Sequence, residues 1–488
     1  MILSWFQRTH RSQRIDPALT GSARVSATRG LPLQSDRPNQ SSLYQDQNSA
    51  SGTARSNRLS WFILVVLLAF APLAFGAVEF WSTAVVEFLC LLLALAWLVG
   101  AIFRGTIRIE MNSLFWAAVG FQCWVGLQLI RGWTLDAANT REDLLLAFCY
   151  FLVFLVVSNE TWSTRWIRNL GLAQATIGFL IAMLGIVQFF SWNGKIYWVR
   201  AIQVGAPFGP YVNRNHFVGL MEMTFMISMG MALSRGIDKA WKVLLVFFTV
   251  VMAVGSLMAL SRGGIICMAV GVLLFMYLVG WRQGVKRSFL MVVLVAFVSL
   301  GLLVYFGVDP LVQRIFEARK LTQEASFMDR LYIARDTLSI VQEHPYMGTG
   351  LGTFALVSPI YMSFYRKYLF DKAHNDYLQL LSEVGLIGFF FAVWWIVGLV
   401  RIFFKIAREK SRRISAFRTA AFCGCISILV HSTVDFNLQI PANALFFAVL
   451  AALVIRSGST QLDRPVQWQQ KVAQDDAGPS EGLQEVQP

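Results

Sequence analysis

Residues 371–404 read DKAHNDYLQLLSEVGLIGFFFAVWWIVGLVRIFF, and the stretch changes character halfway along. Its first part is polar and contains His374 and Asn375, whereas the part from Gly385 onward is apolar apart from Arg401. An apolar run of about 20 residues is long enough to cross the hydrocarbon core of a bilayer as a helix. The stretch therefore predicts a short helix at a membrane surface that leads into a membrane span.

The rest of the chain is equally apolar. Of its 488 residues 56% are hydrophobic and 14% are charged, and the mean hydropathy is +0.55. Such a composition excludes a soluble protein of this length and predicts an all-α, polytopic membrane protein. We place twelve membrane spans at 59–76, 81–103, 112–130, 143–158, 168–190, 215–234, 240–260, 263–281, 288–307, 385–404, 414–432 and 441–456. The runs 143–158 and 441–456 are the shortest, which leaves eleven or thirteen spans open.

Two polar tails flank the transmembrane domain, which we place at 59–456. Residues 1–58 are rich in Ser, Arg, Gln and Asn and lack apolar periodicity, so we predict a disordered tail, and residues 457–488 form a second one. No short apolar segment of the signal-peptide type precedes residue 59. The segment 308–384 is a large loop whose alternating charges predict two or three short helices on the outer face.

Basic residues orient the chain in the membrane. The net charge of +14 arises mainly from short loops between apolar runs, which argues against nucleic acid as a partner. The loops are richest in Lys and Arg on the side that holds both tails, so the positive-inside rule makes both termini cytoplasmic and the loop 308–384 external. All six cysteines fall in apolar runs, and no His, Cys or carboxylate cluster has the spacing of a metal site, so we expect no metal.

Three arginines lie on the predicted outer side, where basic residues are disfavoured. Arg262 sits between two spans in ALSRGG, Arg214 begins a span in NRNHF, and Arg141 precedes a span in TRED. Each could snorkel or pair with an acid, and Arg141 has acidic neighbours for this. The functional interpretation is an anion site, because guanidinium groups bind phosphate oxygens bidentately.

Other ionisable residues fall inside or beside spans. Glu222, two turns into the sixth span, predicts a structural partner for a basic residue ahead of a catalytic acid. His431 and Asp435 are four residues apart, hence on one face if they are helical, and a structural and a functional role are both open for them. His374 is predicted to stand at the start of a helix whose apolar face includes Leu381 and Gly385.

Five sequence blocks together resemble one family. The pattern His374-Asn375, nine residues, then Gly385-x-x-Gly388 resembles the signature of the O-antigen ligase and O-antigen polymerase superfamily of bacterial envelopes. The remaining blocks also occur in the order that this superfamily shows: NRNHF at 213–217, SRGG around Arg262, HPYMGTGLGTF at 344–354 and HSTVDFNLQIP at 431–441.

The resemblance implies a metal-independent, inverting glycosyltransferase of the membrane-embedded, GT-C-like type, without a cofactor, in the bacterial inner membrane. The donor would be a glycan on undecaprenyl pyrophosphate, and the acceptor a sugar hydroxyl on lipid A core or on another glycan at the periplasmic face. His374 would be the general base. Arg214 and Arg262, with Arg141 as a further candidate, would bind the pyrophosphate, and Asn375 and His216 would orient substrate.

Several functions stay open at this point. A ligase and a polymerase would use the same motifs, because both attack the same kind of donor; we expect the ligase, since the His-Asn-x9-Gly-x-x-Gly spacing is the form associated with ligases. A solute or bicarbonate transporter is an alternative from another class. Its substrate site is expected near the bilayer midplane, whereas the polar residues singled out here collect at the predicted outer face.

Overall fold

Apolar helices make up most of the chain that the computed structural model describes, namely residues 58–107, 109–202, 205–283, 285–305, 327–363, 370–408 and 415–456. The two predicted tails lie outside the described residues, apart from Arg58. The helices are α1 Arg58–Leu73, α2 Phe80–Phe103, α3 Ser113–Ile130, α4 Ala137–Asn159, α5 Thr164–Phe190, α6 Arg214–Leu233, α7 Lys239–Met258, α8 Arg262–Gln283, α9 Val285–Tyr305, α10 Phe327–Glu343, α11 Phe354–Tyr361, α12 Asp376–Arg408, α13 Ala416–His431 and α14 Pro441–Ile455. Two short strands, β1 Lys195–Ile196 and β2 Arg200–Ala201, form an antiparallel pair. The predicted class, an all-α polytopic membrane protein, is confirmed.

Each of the twelve predicted spans coincides with one of these helices. Within the described residues, eight helices are long and apolar enough to cross a membrane, and α1, α13, α14 and the apolar part of α9 are shorter. The segment 143–158 was predicted too short, because α4 begins at Ala137 with its N-terminal N–H groups capped by the Asp136 carboxylate. The short run 441–456 does correspond to a short helix of 15 residues, α14.

Successive connections between helices alternate between two ends of the bundle. At one end the Leu135 N–H donates to the Thr349 carbonyl at 2.8 Å, and an ion pair joins Arg200 to Glu79. At the other end Arg104 pairs with Glu160 at 3.0 Å. We call the first the His374 end, since residues 374–376 and 432–435 also lie there; which face of the membrane it occupies stays a prediction.

Helix α6 forms the centre of the bundle. Every residue of α6 after Arg214 is buried, and the helix packs against α5, α7 and α13. Close approach needs small residues, and a Cβ at Gly230 would come within 2.3 Å of the Ala420 Cβ on α13. Two ionisable residues, His216 and Glu222, are thus carried into the core near the His374 end.

Helix α12 is interrupted at Gly385, which has φ 64° and ψ −176°. The interruption frees carbonyls from the helix, and each must find a donor. The Ser382 carbonyl accepts from the Thr349 N–H at 3.0 Å, and the Glu383 carbonyl accepts from the Gly350 N–H at 2.8 Å. The Trp124 indole of α3 donates to the Val384 carbonyl at 2.8 Å.

Glycine is required at this break, because a Cβ on Gly385 would lie 2.2 Å from the Tyr346 carbonyl oxygen. The predicted span begins at this kink, and the short helix before it is continuous with the span apart from the kink. His374 was predicted to start that helix and instead precedes it, in a left-handed conformation with φ 49°.

The predicted external loop, 308–384, is described at residues 327–363 and 370–384, and it contains helices α10 and α11, as the charge pattern indicated. Ile333 and Ile340 of α10 and Phe354 and Val357 of α11 form a small core of their own together with Ala373, which precedes α12. Residues 308–326 and 364–369 of this loop lie outside the described residues.

Candidate functional site

A buried carboxylate lies between two imidazoles at the His374 end. Asp435, whose side chain is 1% exposed, follows α13 in the chain. Its Oδ1 atom lies 3.5 Å from Nδ1 of His374 and 3.7 Å from Nε2 of His216. The Phe436 N–H donates to the same oxygen at 2.9 Å. Two histidines that are 158 positions apart in the sequence thus share one carboxylate oxygen.

The second oxygen of Asp435 has polar partners of its own. Oδ2 accepts a hydrogen bond from the Asn215 side-chain amide at 2.5 Å, and Nη2 of Arg330 lies 3.6 Å away. The Arg330 guanidinium also donates to the Val434 carbonyl at 3.0 Å, which fixes α10 against this turn. We call Asp435, His374, His216, Asn215, Arg330 and Phe436 the Asp435 cluster.

The Phe436 ring holds the two imidazoles apart. It meets the His216 ring edge-to-face with centroids 4.5 Å apart, and the His374 ring in the same manner at 5.0 Å. Edge-to-face contacts of this kind fix ring orientation as well as contributing packing energy. The His374 imidazole, with its side chain 15% exposed, is therefore oriented on one side and accessible on the other.

Asn375 holds His374 in place. Its side-chain oxygen accepts from the N–H groups of Tyr377 and Leu378, both at 3.0 Å, and so caps the start of α12. Its amide donates to the Thr433 carbonyl at 2.9 Å. The Asp376 N–H donates to the Ser432 carbonyl at 2.9 Å, so two adjacent residues tie this loop to the turn that carries Asp435.

The pKa of Asp435 follows from these neighbours. Burial would raise it, but the contacts with His216 and His374 outweigh burial and hold the pKa well below its usual range. The residue is therefore a carboxylate at neutral pH. A buried carboxylate facing Nδ1 fixes the tautomer and orientation of an imidazole and leaves Nε2 to exchange protons.

Two of the predicted arginines begin helices that converge on the cluster. Arg214 is the first residue of α6 and is half-buried, with Asn215 and His216 directly after it. Arg262 is the first residue of α8 and is exposed, and it makes no ion pair with any residue that the structure describes. A Cβ at Gly263 would meet Val434 and His431 at 3.4 and 3.7 Å, so this helix start also packs against the turn before Asp435.

Arg141 lies elsewhere at this end. It is exposed in the first turns of α4, and its neighbour Thr140 donates to the Leu351 carbonyl at 2.8 Å. It therefore stands beside the Gly-rich turn 348–352, and none of the contacts within the Asp435 cluster involves it. The structure brings His374, His216, Arg214 and Arg262 towards one region, and Arg141 to another side.

His431 and Asp435 would share a helical face only if both were helical, and this condition is not met. Helix α13 ends at His431, and Asp435 lies in the turn that follows. His431 Nδ1 pairs with Glu222 Oε1 at 2.7 Å, with both side chains at most 1% exposed. The Ser427 hydroxyl donates to the other Glu222 oxygen at 2.8 Å. Glu222 thus has the basic partner that the sequence predicted.

Sequence reasoning missed Arg330, and it named Asp435 without assigning its role. Arg330 stands in a helix among many charges, and nothing in the local sequence distinguishes it. Within the described residues, no group of three or more His, Cys, Asp and Glu side chains has the geometry of a metal site.

A comparison with protein families found one match. Residues 247–393 match the family model described as O-antigen ligase, which supports O-antigen ligase-type glycan transfer in general. The matched segment contains α8 with Arg262, the loop helices α10 and α11, and the block from His374 to Gly388. A comparison with curated proteins found no match. The resemblance that the sequence blocks indicate is therefore confirmed for residues 247–393, which are similar to the O-antigen ligase family.

Proposed function

We propose that the chain transfers a glycan from undecaprenyl pyrophosphate to a sugar hydroxyl at the periplasmic face of the bacterial inner membrane, as an O-antigen ligase. The observation that carries the proposal is the His374 imidazole, which has the buried Asp435 carboxylate behind Nδ1. Helix α6 begins with Arg214 next to Asn215, which binds the same carboxylate, and α8 begins with Arg262 next to the turn before Asp435. This combination supports proton removal from a hydroxyl next to an anionic leaving group.

The reaction balances as one displacement. Nε2 of His374 accepts the proton of the acceptor hydroxyl while the hydroxyl oxygen bonds to the anomeric carbon of the donor sugar. The bond from that carbon to the pyrophosphate oxygen breaks, and its electron pair leaves with undecaprenyl pyrophosphate. Attack from the side opposite the leaving group inverts the anomeric centre. Asp435 keeps the carboxylate form and stabilises the imidazolium that is produced.

Charge on the leaving pyrophosphate would be neutralised by arginines. Arg214 and Arg262 are each the first residue of a helix, so each guanidinium adds to the partial positive charge of a helix N-terminus. Arg141, beside the Gly-rich turn, would contact a more distant part of the substrate. We assign Asn375 to positioning His374, because both ends of its amide already bind the protein. His216 would share the Asp435 carboxylate and orient substrate.

The choice of acceptor decides between a ligase and a polymerase. The test is expression in a cell that makes lipid-linked O-units, contains lipid A core and lacks its own ligase. Glycan on lipid A core supports the ligase, longer lipid-linked chains would make the protein a polymerase, and no change in either product would contradict glycan transfer. The His374→Ala variant, expressed at the same level, is the control for background transfer.

A further inference from the structure

Helix α10 has the reverse of the side-chain pattern that a helix facing water shows. Three of its polar side chains are buried against the protein, namely Asp329, Asp336 and Thr337. Four of its large side chains are exposed by 40% to 54%, namely Met328, Leu331, Tyr332 and Leu338. Together with the exposed Arg335 they follow spacings of three and four residues, so they lie along one side of the helix. We call these five residues the α10 stripe.

Both ends of α10 are tied to the ends of membrane-spanning helices. In its first turn, the Arg330 guanidinium donates to the carbonyl of Val434, three residues after α13 ends. Just beyond its last turn, the Pro345 carbonyl accepts from the Leu386 N–H at 2.8 Å, directly after the break at Gly385 where the apolar part of α12 begins. A helix of 17 residues is about 25 Å long. Helix α10 therefore bridges two span ends, at the level of the membrane surface at the His374 end.

The lipid-facing surface of α12 continues into the segment that follows α10. Leu386, Ile387 and Phe390 of α12 are exposed apolar side chains of a membrane span and so face lipid. Tyr346 and Met347, which follow α10, are exposed by 64% and 37%. The Tyr346 carbonyl accepts from the Ile387 N–H at 3.5 Å, so these side chains leave the backbone beside the first lipid-facing turn of α12.

The composition of the stripe indicates phospholipid as its partner. Apolar side chains, an interfacial tyrosine and a basic residue along one side are typical of helices that lie in the boundary between head groups and acyl chains. The stripe itself contains no carboxylate for Arg335, and phospholipid phosphates supply anions at that depth. The long side chain of Arg335 allows its guanidinium to reach them while its stem stays among apolar groups.

Arg330 connects this helix to the candidate site. One of its nitrogens donates to the Val434 carbonyl at 3.0 Å, and Nη2 lies 3.6 Å from Oδ2 of Asp435. Leu331, the next residue, belongs to the stripe. The position of α10 on the membrane surface therefore also sets the position of a cation beside the Asp435 carboxylate.

We propose that α10 lies in the interface of the leaflet at the His374 end, with its stripe in contact with phospholipids, and that this contact holds Arg330 against Asp435. Arg330 is then a positioning residue that acts on His374 through Asp435. The effect on glycan transfer rests on the proposed function, whereas the contact between the stripe and lipid does not.

The first experiment measures what surrounds the stripe in the full chain, in nanodiscs of phosphatidylcholine and phosphatidylglycerol. Cys123→Ala removes the one exposed cysteine, since the other five are buried. A nitrobenzoxadiazole fluorophore is then attached to L331C or L338C on the stripe. The matched references are F390C, on the lipid-facing side of α12, and N139C, at the exposed polar start of α4.

Lipids with a nitroxide near the glycerol backbone should quench the fluorophore on the stripe as strongly as on F390C. Quenching should be about threefold stronger than on N139C, because an interfacial helix buries its apolar side about 5–10 Å into the head-group boundary. Quenching of the stripe by aqueous iodide and not by these lipids would overturn the proposal. Shielding from both quenchers would mean that protein covers the stripe, and would overturn it as well. None of these results requires an active enzyme.

A double-variant cycle tests the connection through Arg330. Leu331→Asp places a carboxylate in the stripe, and it should lower lipid quenching of the fluorophore on L338C. L331D and Arg330→Ala should each lower transfer about tenfold, and the double variant should also lose about tenfold, because both changes interrupt one connection. Asn139→Asp adds the same charge away from the stripe and should transfer normally. Losses that multiply to about a hundredfold in the double variant would overturn the connection.

Discussion

Two histidine–carboxylate pairs lie at the same end of this molecule, and their surroundings differ. His431 and Glu222 are 2.7 Å apart, and both are almost completely enclosed between α6, α8 and α13. His374 and Asp435 are 3.5 Å apart, and the His374 side chain is 15% exposed. In the enclosed pair each side chain is the ionic partner of the other. In the second pair the carboxylate is enclosed and the imidazole is partly exposed.

Under the proposed function, the exposure of the imidazole, and not the identity of the pair, would separate a structural histidine–carboxylate pair from a catalytic one. An enclosed ion pair in a membrane protein contributes mainly through the cost of leaving either partner alone. A partly exposed imidazole backed by a carboxylate has a second nitrogen available for proton transfer. The predictions below test whether the two pairs separate in this way.

The largest effect is expected for His374→Ala. Loss of the general base should lower glycan transfer by about 10³-fold, within the range of 10²–10⁴ for such groups. Its apparent unfolding temperature in detergent should fall less than that of Glu222→Ala, because the buried Asp435 keeps His216, Asn215 and Arg330 as partners. His344→Ala, at another histidine of the same loop region, is the control and should transfer normally. Normal transfer by H374A would remove His374 from the mechanism.

Glu222→Ala should have the opposite effect, a large loss of stability and a small loss of activity. It leaves the buried His431 without its partner, so we expect a loss of about 3 kcal/mol in stability, comparable with other broken buried pairs. Activity per folded molecule should fall far less than in H374A. The measurements are thermal unfolding followed by transfer at equal folded protein.

A matched double variant separates charge from packing at this pair. Glu222→Leu combined with His431→Phe removes both polar groups and keeps the volume, so it should recover much of the stability that E222A loses. A double variant as unstable as E222A would mean that the pair stabilises the fold by more than its two members' mutual ion pairing.

Asp435→Asn should lower transfer by about 10²-fold, because an amide no longer fixes the imidazole tautomer or stabilises the imidazolium. Because the pKa of Asp435 is depressed in the folded protein, its contribution to stability is present above the unfolded-state pKa of about 3.9 and is lost as pH falls through the lower folded-state value. The stability difference between the wild type and D435N should thus persist from pH 8 to 5 and shrink below about pH 4. A difference that disappears between pH 8 and 5 would contradict the depressed pKa.

The sequence predicted the helices well and the cluster only in part, for one physical reason. Membrane spans follow from local hydropathy, so runs such as 81–103 and 168–190 could be placed directly. Asp435, by contrast, acquires its role from residues on α6, α10 and the loop before α12. His431 is four positions from Asp435, yet the helix ends between them, and only the packing assigns His431 to Glu222.

The break at Gly385 illustrates the same limit. Gly388, the second glycine of the GxxG pair, approaches Trp124 on α3. The carbonyls that Gly385 releases are bound by Thr349 and Gly350, more than 30 positions earlier. No local pattern contains that pairing, although both glycine-containing blocks were noticed separately.

Arg262→Lys should have a smaller effect, about tenfold on transfer, equivalent to about 1.4 kcal/mol. A lysine keeps the charge but cannot form the paired hydrogen bonds of a guanidinium with phosphate oxygens. Donor KM should rise more than acceptor KM, and Arg141→Lys is the comparison variant because Arg141 lies away from the cluster. Equal effects of R262K and R141K would argue against a pyrophosphate site centred on Arg262.

Treatment with EDTA should not change glycan transfer. This result would keep the contrast between the enclosed His431–Glu222 pair and a metal-free His374–Asp435 pair. His216, His374 and Asp435 are residue types that bind metals, so a bound divalent cation would turn the cluster into a metal site and remove the role of His374 as a free base. In the proposed mechanism Arg214, Arg262 and two helix N-termini supply the positive charge for the leaving pyrophosphate. Transfer measured with purified protein should then be the same with and without chelator. Loss of transfer in EDTA that Mg²⁺ or Mn²⁺ restores would refute this mechanism, and the comparison would then be between a structural ion pair and a metal centre.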